Sequence, residues 1–273
     1  MKTALITGGT DGIGLETARQ LANKGFQVII TGRNSDRCER ASQYINSKVS
    51  EAKIRTLCAD FTDRKQIENA ADFLNNYIRK IDVLINNAGT FETSFQLVEN
   101  KYEKTFFVNH LTPFYFTYLI LDILDCSTSP RIINVSSMAH AYNLPAWETI
   151  NSKSAYDAYE SYSWSKLANI LYTFKLSNLL KHKSLTVNCL HPGVINTKLL
   201  KAGWGPIGAP LKSGAETPVF LATSDIVKTV SGKYFTNKQV SSPASSAYDS
   251  DLQDLLWTYS EEIFDINYSN KVK

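Results

Sequence analysis

The chain has 273 residues, 43% hydrophobic and 20% charged, with a formal net charge of +3 at pH 7. This balance excludes wholesale disorder, and because Lys and Arg are mixed with Asp and Glu it carries no nucleic-acid footprint. Four cysteines, Cys38, Cys58, Cys126 and Cys189, lie far apart in neither disulfide-framework nor metal-ligand spacing, so reduced structural thiols and no metal are expected.

An α/β chain of this length is expected to form one domain over residues 1–273, with a nucleotide-binding half to about 130 and a catalytic half from about 131. Short β-branched runs predict strands at Lys2–Thr7, Gln27–Thr31, Lys53–Ala59, Val83–Asn86, Arg131–Ser136, Thr186–Leu190 and Lys233–Phe235. Segments of helical period fill the gaps, the pattern of a mostly parallel, seven-stranded, doubly wound Rossmann-type sheet with helices on both faces. The N-terminus leads directly into a glycine loop, so no signal peptide or membrane anchor is expected. The apolar run Phe114–Leu124 is too short to span a bilayer. The expected location is the cytoplasm.

Weak periodicity over Met138–Asp157 predicts a long loop, of the kind that walls substrate pockets. Tyr142, Trp147, Tyr156 and Tyr159, with Trp204 further on, could make that wall aromatic, or could staple the loop to the core. The run Ser241–Ser246 marks a surface loop before a last helix near Leu252–Ile263, whose Leu255, Leu256 and Trp257 are expected to pack on the body.

Thr7 to Gly14 reads TGGTDGIG where the first strand turns into the first helix. Glycine lets the backbone turn tightly and approach a pyrophosphate, and the helix N-terminus offers free N–H groups to the anion. About twenty residues on, where an NAD site holds an acid on the ribose, the chain has Thr31-Gly32-Arg33. Arg33, helped by Arg37, could fork onto a 2′-phosphate, favouring NADP(H) over NAD(H).

Tyr162 and Lys166 are four residues apart in a segment of helical period, so they share one face. A cation beside a phenol favours the phenolate and brings it toward acid–base use. His110 and His191 fall near this region without a second ligand at metal spacing.

Taken in order, the TGGTDGIG loop, Asp60, Asn86-Asn87-Ala88-Gly89, Asn109, Ser137, Tyr162 with Lys166, and Pro192-Gly193 with Thr197 resemble the short-chain dehydrogenase/reductase family over nearly the whole chain. The segments Asn134–His140, Ser165–Asn169 and Gly232–Phe235 are similar to its retinol dehydrogenase-like branch. The resemblance implies that Tyr162 exchanges the proton, Ser137 holds the substrate oxygen, Lys166 holds the nicotinamide ribose and lowers the tyrosine pKa, and Asn109 holds a relay water. It implies cofactor contacts from Gly8, Thr10, Asp11, Gly12 and Ile13 in the glycine loop. Further contacts are implied from Arg33, from Asp60 and Phe61 at the adenine, and from Asn87, Ala88 and Gly89. Tyr162 and Lys166, then Pro192, Gly193, Val194 and Thr197, complete the implied set.

The expected activity is NADP(H)-dependent interconversion of a lipophilic or aromatic carbonyl and its alcohol. The alternatives are reduction of an activated carbon–carbon double bond, or an NADP(H)-binding sensor without chemistry. The expected partner is a small molecule; a homodimer is implied by the resemblance alone.

Overall fold

The computed structural model describes residues 1–142 and 147–272. The strands are β1 (Thr3–Ile6), β2 (Gln27–Gly32), β3 (Lys53–Cys58), β4 (Val83–Asn86), β5 (Leu97–Val98), β6 (Tyr102–Glu103), β7 (Arg131–Val135), β8 (Thr186–His191), β9 (Lys233–Thr236) and β10 (Gln239–Ser241). The α-helices are α1 (Gly12–Asn23), α2 (Ser35–Lys48), α3 (Arg64–Tyr77), α4 (Lys104–Phe106), α5 (Thr112–Leu119), α6 (Leu121–Asp125), α7 (Ala158–Leu179), α8 (Lys198–Trp204), α9 (Leu211–Thr223) and α10 (Ser250–Phe264).

The described residues form one eight-stranded sheet in the order β10-β9-β8-β7-β4-β1-β2-β3, and β5 and β6 make a separate hairpin. All pairings in the large sheet are parallel except β10 with β9. The eighth strand departs from the expected seven. It is polar, largely exposed and three residues long, so it carries no apolar run for a sequence pattern to detect. The central strands β1, β4 and β7 are buried along their length, as parallel strands covered on both faces must be.

One face of the sheet packs against α1, α2 and α9 through residues such as Ala18, Leu21, Ile45 and Val219. The other packs against α3, α5, α7 and α10, where Leu74, Phe114, Leu167 and Trp257 share a core. In α10, Leu256 and Trp257 pack as expected while Leu255 faces outward.

The strand order reverses between β2 and β4 across β1, which opens a crevice at the carboxyl ends of β1 and β4. Within the expected long loop, residues 143–146 lie outside the described residues, and short 3-10 turns occupy Met138–Ala141, Trp147–Thr149 and Lys153–Ala155. No helix among the described residues is long and apolar enough to cross a membrane.

Candidate active site

The glycine loop is built from the backbone upward. Gly8 and Gly12 have φ of +63° and +56°, and a Cβ on Gly8 would meet Ala88 Cα at 2.9 Å. Only glycine meets both demands at Gly8. The loop is then pinned to β4: Asn87 Nδ2 donates to Thr7 O at 2.9 Å and Gly8 O at 3.2 Å, and Thr7 Oγ1 accepts from the N–H groups of Asn87 and Ala88, each at 3.0 Å. Asp11 caps α1 by accepting from Gly12 N at 2.8 Å. Burial works against its charge, but hydrogen bonds from Lys198 and Gly12 and the nearby Lys198 and Arg37 charges outweigh it and hold the carboxyl below its ordinary range. The Lys198 ammonium joins α8 to this loop across the mouth of the crevice.

A cleft of about 700 Å³ runs from that loop into the body. Every residue expected to touch the cofactor lines it, from Gly8, Thr10, Asp11, Gly12 and Ile13 through Arg33, Asp60, Phe61, Asn87, Ala88 and Gly89 to Pro192, Gly193, Val194 and Thr197. Ser137, Tyr162 and Lys166 line it as well. Arg33 and Arg37 stand at its edge, exposed, and among the described residues no acceptor meets either guanidinium.

Asn109 is set back from the cleft and 1% exposed. It lies in a π-helical turn, Phe107–Leu111, a distortion that changes which side chains face inward. Its Oδ1 accepts from Thr90 N at 2.7 Å, and Nδ2 donates to Thr90 O at 3.0 Å and Ser165 Oγ at 2.9 Å. Both side-chain hydrogens are thus committed to protein, so the side chain works as a clamp between Thr90 and α7, and any water held here must use other atoms of the residue.

Tyr162 and Lys166 share the inward face of α7. The expected lowering of the tyrosine pKa by the lysine is absent from this geometry. Burial pushes the Tyr162 phenol up to about 12, with the hydrogen bond to the Ser137 hydroxyl pulling the other way. Burial likewise lowers Lys166 to about 8. The physical reason is burial, which outweighs the Ser137 hydrogen bond; Lys166 Nζ lies 5.4 Å from the Tyr162 ring centroid and donates to Val135 O at 3.2 Å. Of the two adjacent serines, Ser136 donates to Lys166 O at 2.7 Å and is buried in the helix–strand contact, which leaves Ser137 as the serine beside Tyr162.

The aromatic wall differs from the expectation. Tyr162 meets Phe91 and Trp204 edge-on, with centroids 5.6 Å away in each case, and Tyr159 packs on both of those partners. Trp204 and Tyr142 line the cleft. Trp147 packs instead on Phe106, Trp164 and Tyr259, and Tyr156 bonds its hydroxyl to Glu92 O at 2.7 Å, so these two are loop staples. Phe91 was hidden from sequence reading because a lone aromatic two residues past Gly89 has no period. His191 lines the cleft, whereas His110 is buried against Phe106, Phe114 and Tyr172, away from it, and desolvation lowers its pKa to about 3.

The family model for short chain dehydrogenases matches residues 2–204. The chain is 35% identical to short-chain dehydrogenase TIC 32 B, chloroplastic, of Brassica napus, over 96% of this chain and 88% of that protein. It is 34% identical to retinol dehydrogenase 13 of Homo sapiens, over 96% and 84% of the respective chains. Among solved structures, an uncharacterised protein from Mycobacterium paratuberculosis superposes with a TM-score of 0.82 at 28% identity, covering 98% of this chain and 95% of that one.

Proposed function

Because the chain belongs to the short-chain dehydrogenase family, on its retinol dehydrogenase-like branch, we propose that it is a one-domain, NADP(H)-dependent oxidoreductase that interconverts a lipophilic or aromatic carbonyl and its alcohol. The observation that carries this reading is convergence: Ser137, Tyr162 and Lys166 open into the same cleft as a prebuilt glycine loop and two exposed arginines that meet no acceptor among the described residues. When bound, the dinucleotide supplies the hydride, from C4 of its nicotinamide.

In this reading the backbone N–H groups at the start of α1 face the pyrophosphate, and Arg33 with Arg37 takes a 2′-phosphate through charge-assisted hydrogen bonds. Asp60 carries its loop toward the adenine; its Oδ1 accepts from Thr62 N at 2.9 Å and Thr62 Oγ1 at 2.8 Å, which fixes the turn. Lys166 uses one donor on Val135 O and keeps others for ribose hydroxyls.

For the chemistry, a phenol pushed up to about 12 keeps its proton at neutral pH, which suits a donor in the reducing direction. Tyr162 gives that proton to the carbonyl oxygen as the oxygen gains charge, and the Ser137 hydroxyl donates a hydrogen bond to the same oxygen. Trp204, Met138, Leu199 and Ile207, all on the cleft lining, favour an apolar substrate body.

The test is NADPH oxidation with a panel of lipophilic aldehydes, ketones and enones, beside NADH and a Tyr162→Phe control. Carbonyl turnover that vanishes in the variant supports the reading. Enones consumed with the carbonyl intact would move it to double-bond reduction, and tight NADPH binding with a silent panel would move it to a sensor.

A further inference from the structure

The peptide that joins Ser137 to Met138 is gripped on both edges. Its carbonyl oxygen lies 2.6 Å from His140 Nδ1, and its N–H donates to His191 Nδ1 at 3.2 Å. A second bond fixes the first ring, because His140 Nε2 accepts from the N–H of Ala244 at 3.0 Å.

A neutral imidazole has one proton to place, and its position follows from these partners. At His140 the Ala244 N–H needs a bare Nε2, so the proton sits on Nδ1 and is donated to Ser137 O. At His191 the Met138 N–H needs a bare Nδ1, so the proton sits on Nε2. The two rings therefore carry opposite tautomers. A second proton on either would turn an acceptor into a donor facing an N–H.

We propose that His140 and His191 are positioning residues: a neutral pair of opposite tautomers that clamps the Ser137–Met138 peptide and thereby aims the Ser137 hydroxyl at Tyr162. The proposal rests on the catalytic reading of Ser137 and Tyr162 given above.

The local geometry shows why this peptide is the one to hold. Ser137 Oγ accepts from Ala139 N at 3.2 Å, so its own proton is turned away from the 3-10 turn and is free for a partner in the cleft. A swing of the next peptide would rotate that turn and carry Oγ with it. His140 is buried, with the Tyr234 ring of β9 edge-on at 5.2 Å, and its bond to Ala244 ties the segment before α10 to the catalytic serine.

The groups around the pair keep it neutral. Burial lowers both rings, and charge on His140 would lower His191 further, to about 4. Tyr234 and Tyr162 are raised by burial and stay uncharged, so neither offers the pair a counter-charge. A histidine held below its ordinary value of about 6.5 keeps its neutral form at neutral pH and loses it as pH falls through the lowered value. The clamp is thus closed at pH 7 and opens toward about pH 4.

Two measurements test this. In nitrogen-15 NMR of histidine-labelled protein, His140 is expected as the Nδ1–H tautomer and His191 as the Nε2–H tautomer, both neutral at pH 6. His140 found as Nε2–H, or either ring titrating near the ordinary value, overturns the clamp. In kinetics, His191→Leu and His140→Phe are expected to lower kcat about tenfold, roughly one lost hydrogen bond, with the NADPH Kd within about twofold of wild type.

His191→Asn, whose amide oxygen can accept from Met138 N without titrating, is expected to recover most of kcat and to flatten the acid limb of the kcat profile. His191→Leu with wild-type kcat, or a leucine defect that asparagine does not relieve, overturns the proposal. Activity surviving in Tyr162→Phe would instead sink the catalytic reading, and the tautomers would still judge the clamp.

Discussion

The two walls of the cleft are built differently. On the glycine-loop side, positions are set by backbone and by short side chains bonded to backbone: Thr7, Asn87 and Ala88 lock the loop to β4, and Gly8 N donates to Thr31 Oγ1 at 3.2 Å. On the opposite side α8 has no buried residue, and an exposed Lys198–Asp11 pair links it to the first wall. Exposed pairs of this kind add little stability. The contrast teaches a division of labour. In the proposed reading the dinucleotide would meet a surface that has little ordering left to do, which favours affinity. In the same reading the substrate would meet side chains of α8, a helix without buried residues, where changes of shape cost the fold little and can set specificity.

The largest effect that would sharpen this division lies where the walls meet. Tyr162→Phe is expected to lower kcat about a thousandfold, within the usual range for a lost acid–base group, and to leave the NADPH Kd within about twofold. Stopped-flow turnover and fluorescence titration check the two halves of that statement. A parallel loss of binding would mean that the tyrosine belongs to the nucleotide wall as well.

Next comes the rigid wall itself. Gly8→Ala would place a methyl 2.9 Å from Ala88 Cα at a φ of +63°, so either the loop moves or β4 yields. We expect the NADPH Kd to rise about a hundredfold and stability to fall by about 1–3 kcal/mol, a common range for backbone strain. Isothermal titration and thermal unfolding measure these. An alanine variant with unchanged affinity would show that the wall is not as preset as its hydrogen bonds imply.

The same contrast explains what could be read in the sequence. The glycine loop was legible because its backbone constraints are written locally, and helical spacing put Tyr162 and Lys166 on one face, whereas Asn87 and the roles of that pair came from the family resemblance. The strands β1, β4 and β7 were legible because strands buried on both faces are continuous apolar runs. What could not be read depended on three-dimensional neighbours. Phe91 joins the Tyr162 cluster only once β4 has delivered it there, and Trp147 turns to Trp164 and Tyr259 rather than to the cleft. The expected drop in the Tyr162 pKa weighed the neighbouring lysine, whereas burial of the phenol, which depends on the folded surroundings, pushes it up. The strand β10 is short and polar, and is recognisable only by its pairing with β9.

A smaller and more selective effect belongs to the arginines at the edge of the rigid wall. Arg33→Ala combined with Arg37→Ala is expected to weaken NADPH about thirtyfold and to leave NADH within about twofold, because a charge-assisted hydrogen bond contributes roughly 1.5–3 kcal/mol and NADH lacks the phosphate that receives it. Competition binding of the two nucleotides checks it. An equal fall for both would make the arginines general attractors of negative charge rather than readers of the 2′ position.

The smallest effect tests the adaptable wall. Trp204 closes α8 and packs on Phe91 at 5.1 Å, Tyr159 at 5.3 Å and Tyr162 at 5.6 Å between ring centroids. Its ring can therefore act in two ways, as an apolar face for the substrate or as a prop for the catalytic phenol. If it is a face, Trp204→Ala raises KM for bulky aromatic aldehydes about five- to tenfold, on the order of 1 kcal/mol for a lost aromatic contact. Small aliphatic aldehydes, which do not reach it, then keep their KM, and kcat holds for both. If it is a prop, kcat falls alike for large and small substrates while KM stays level. Because α8 has no buried residue, the replacement leaves the body of the protein intact and the nucleotide affinity unchanged in either case. The split between KM and kcat across substrate size then reports where specificity ends and catalysis begins.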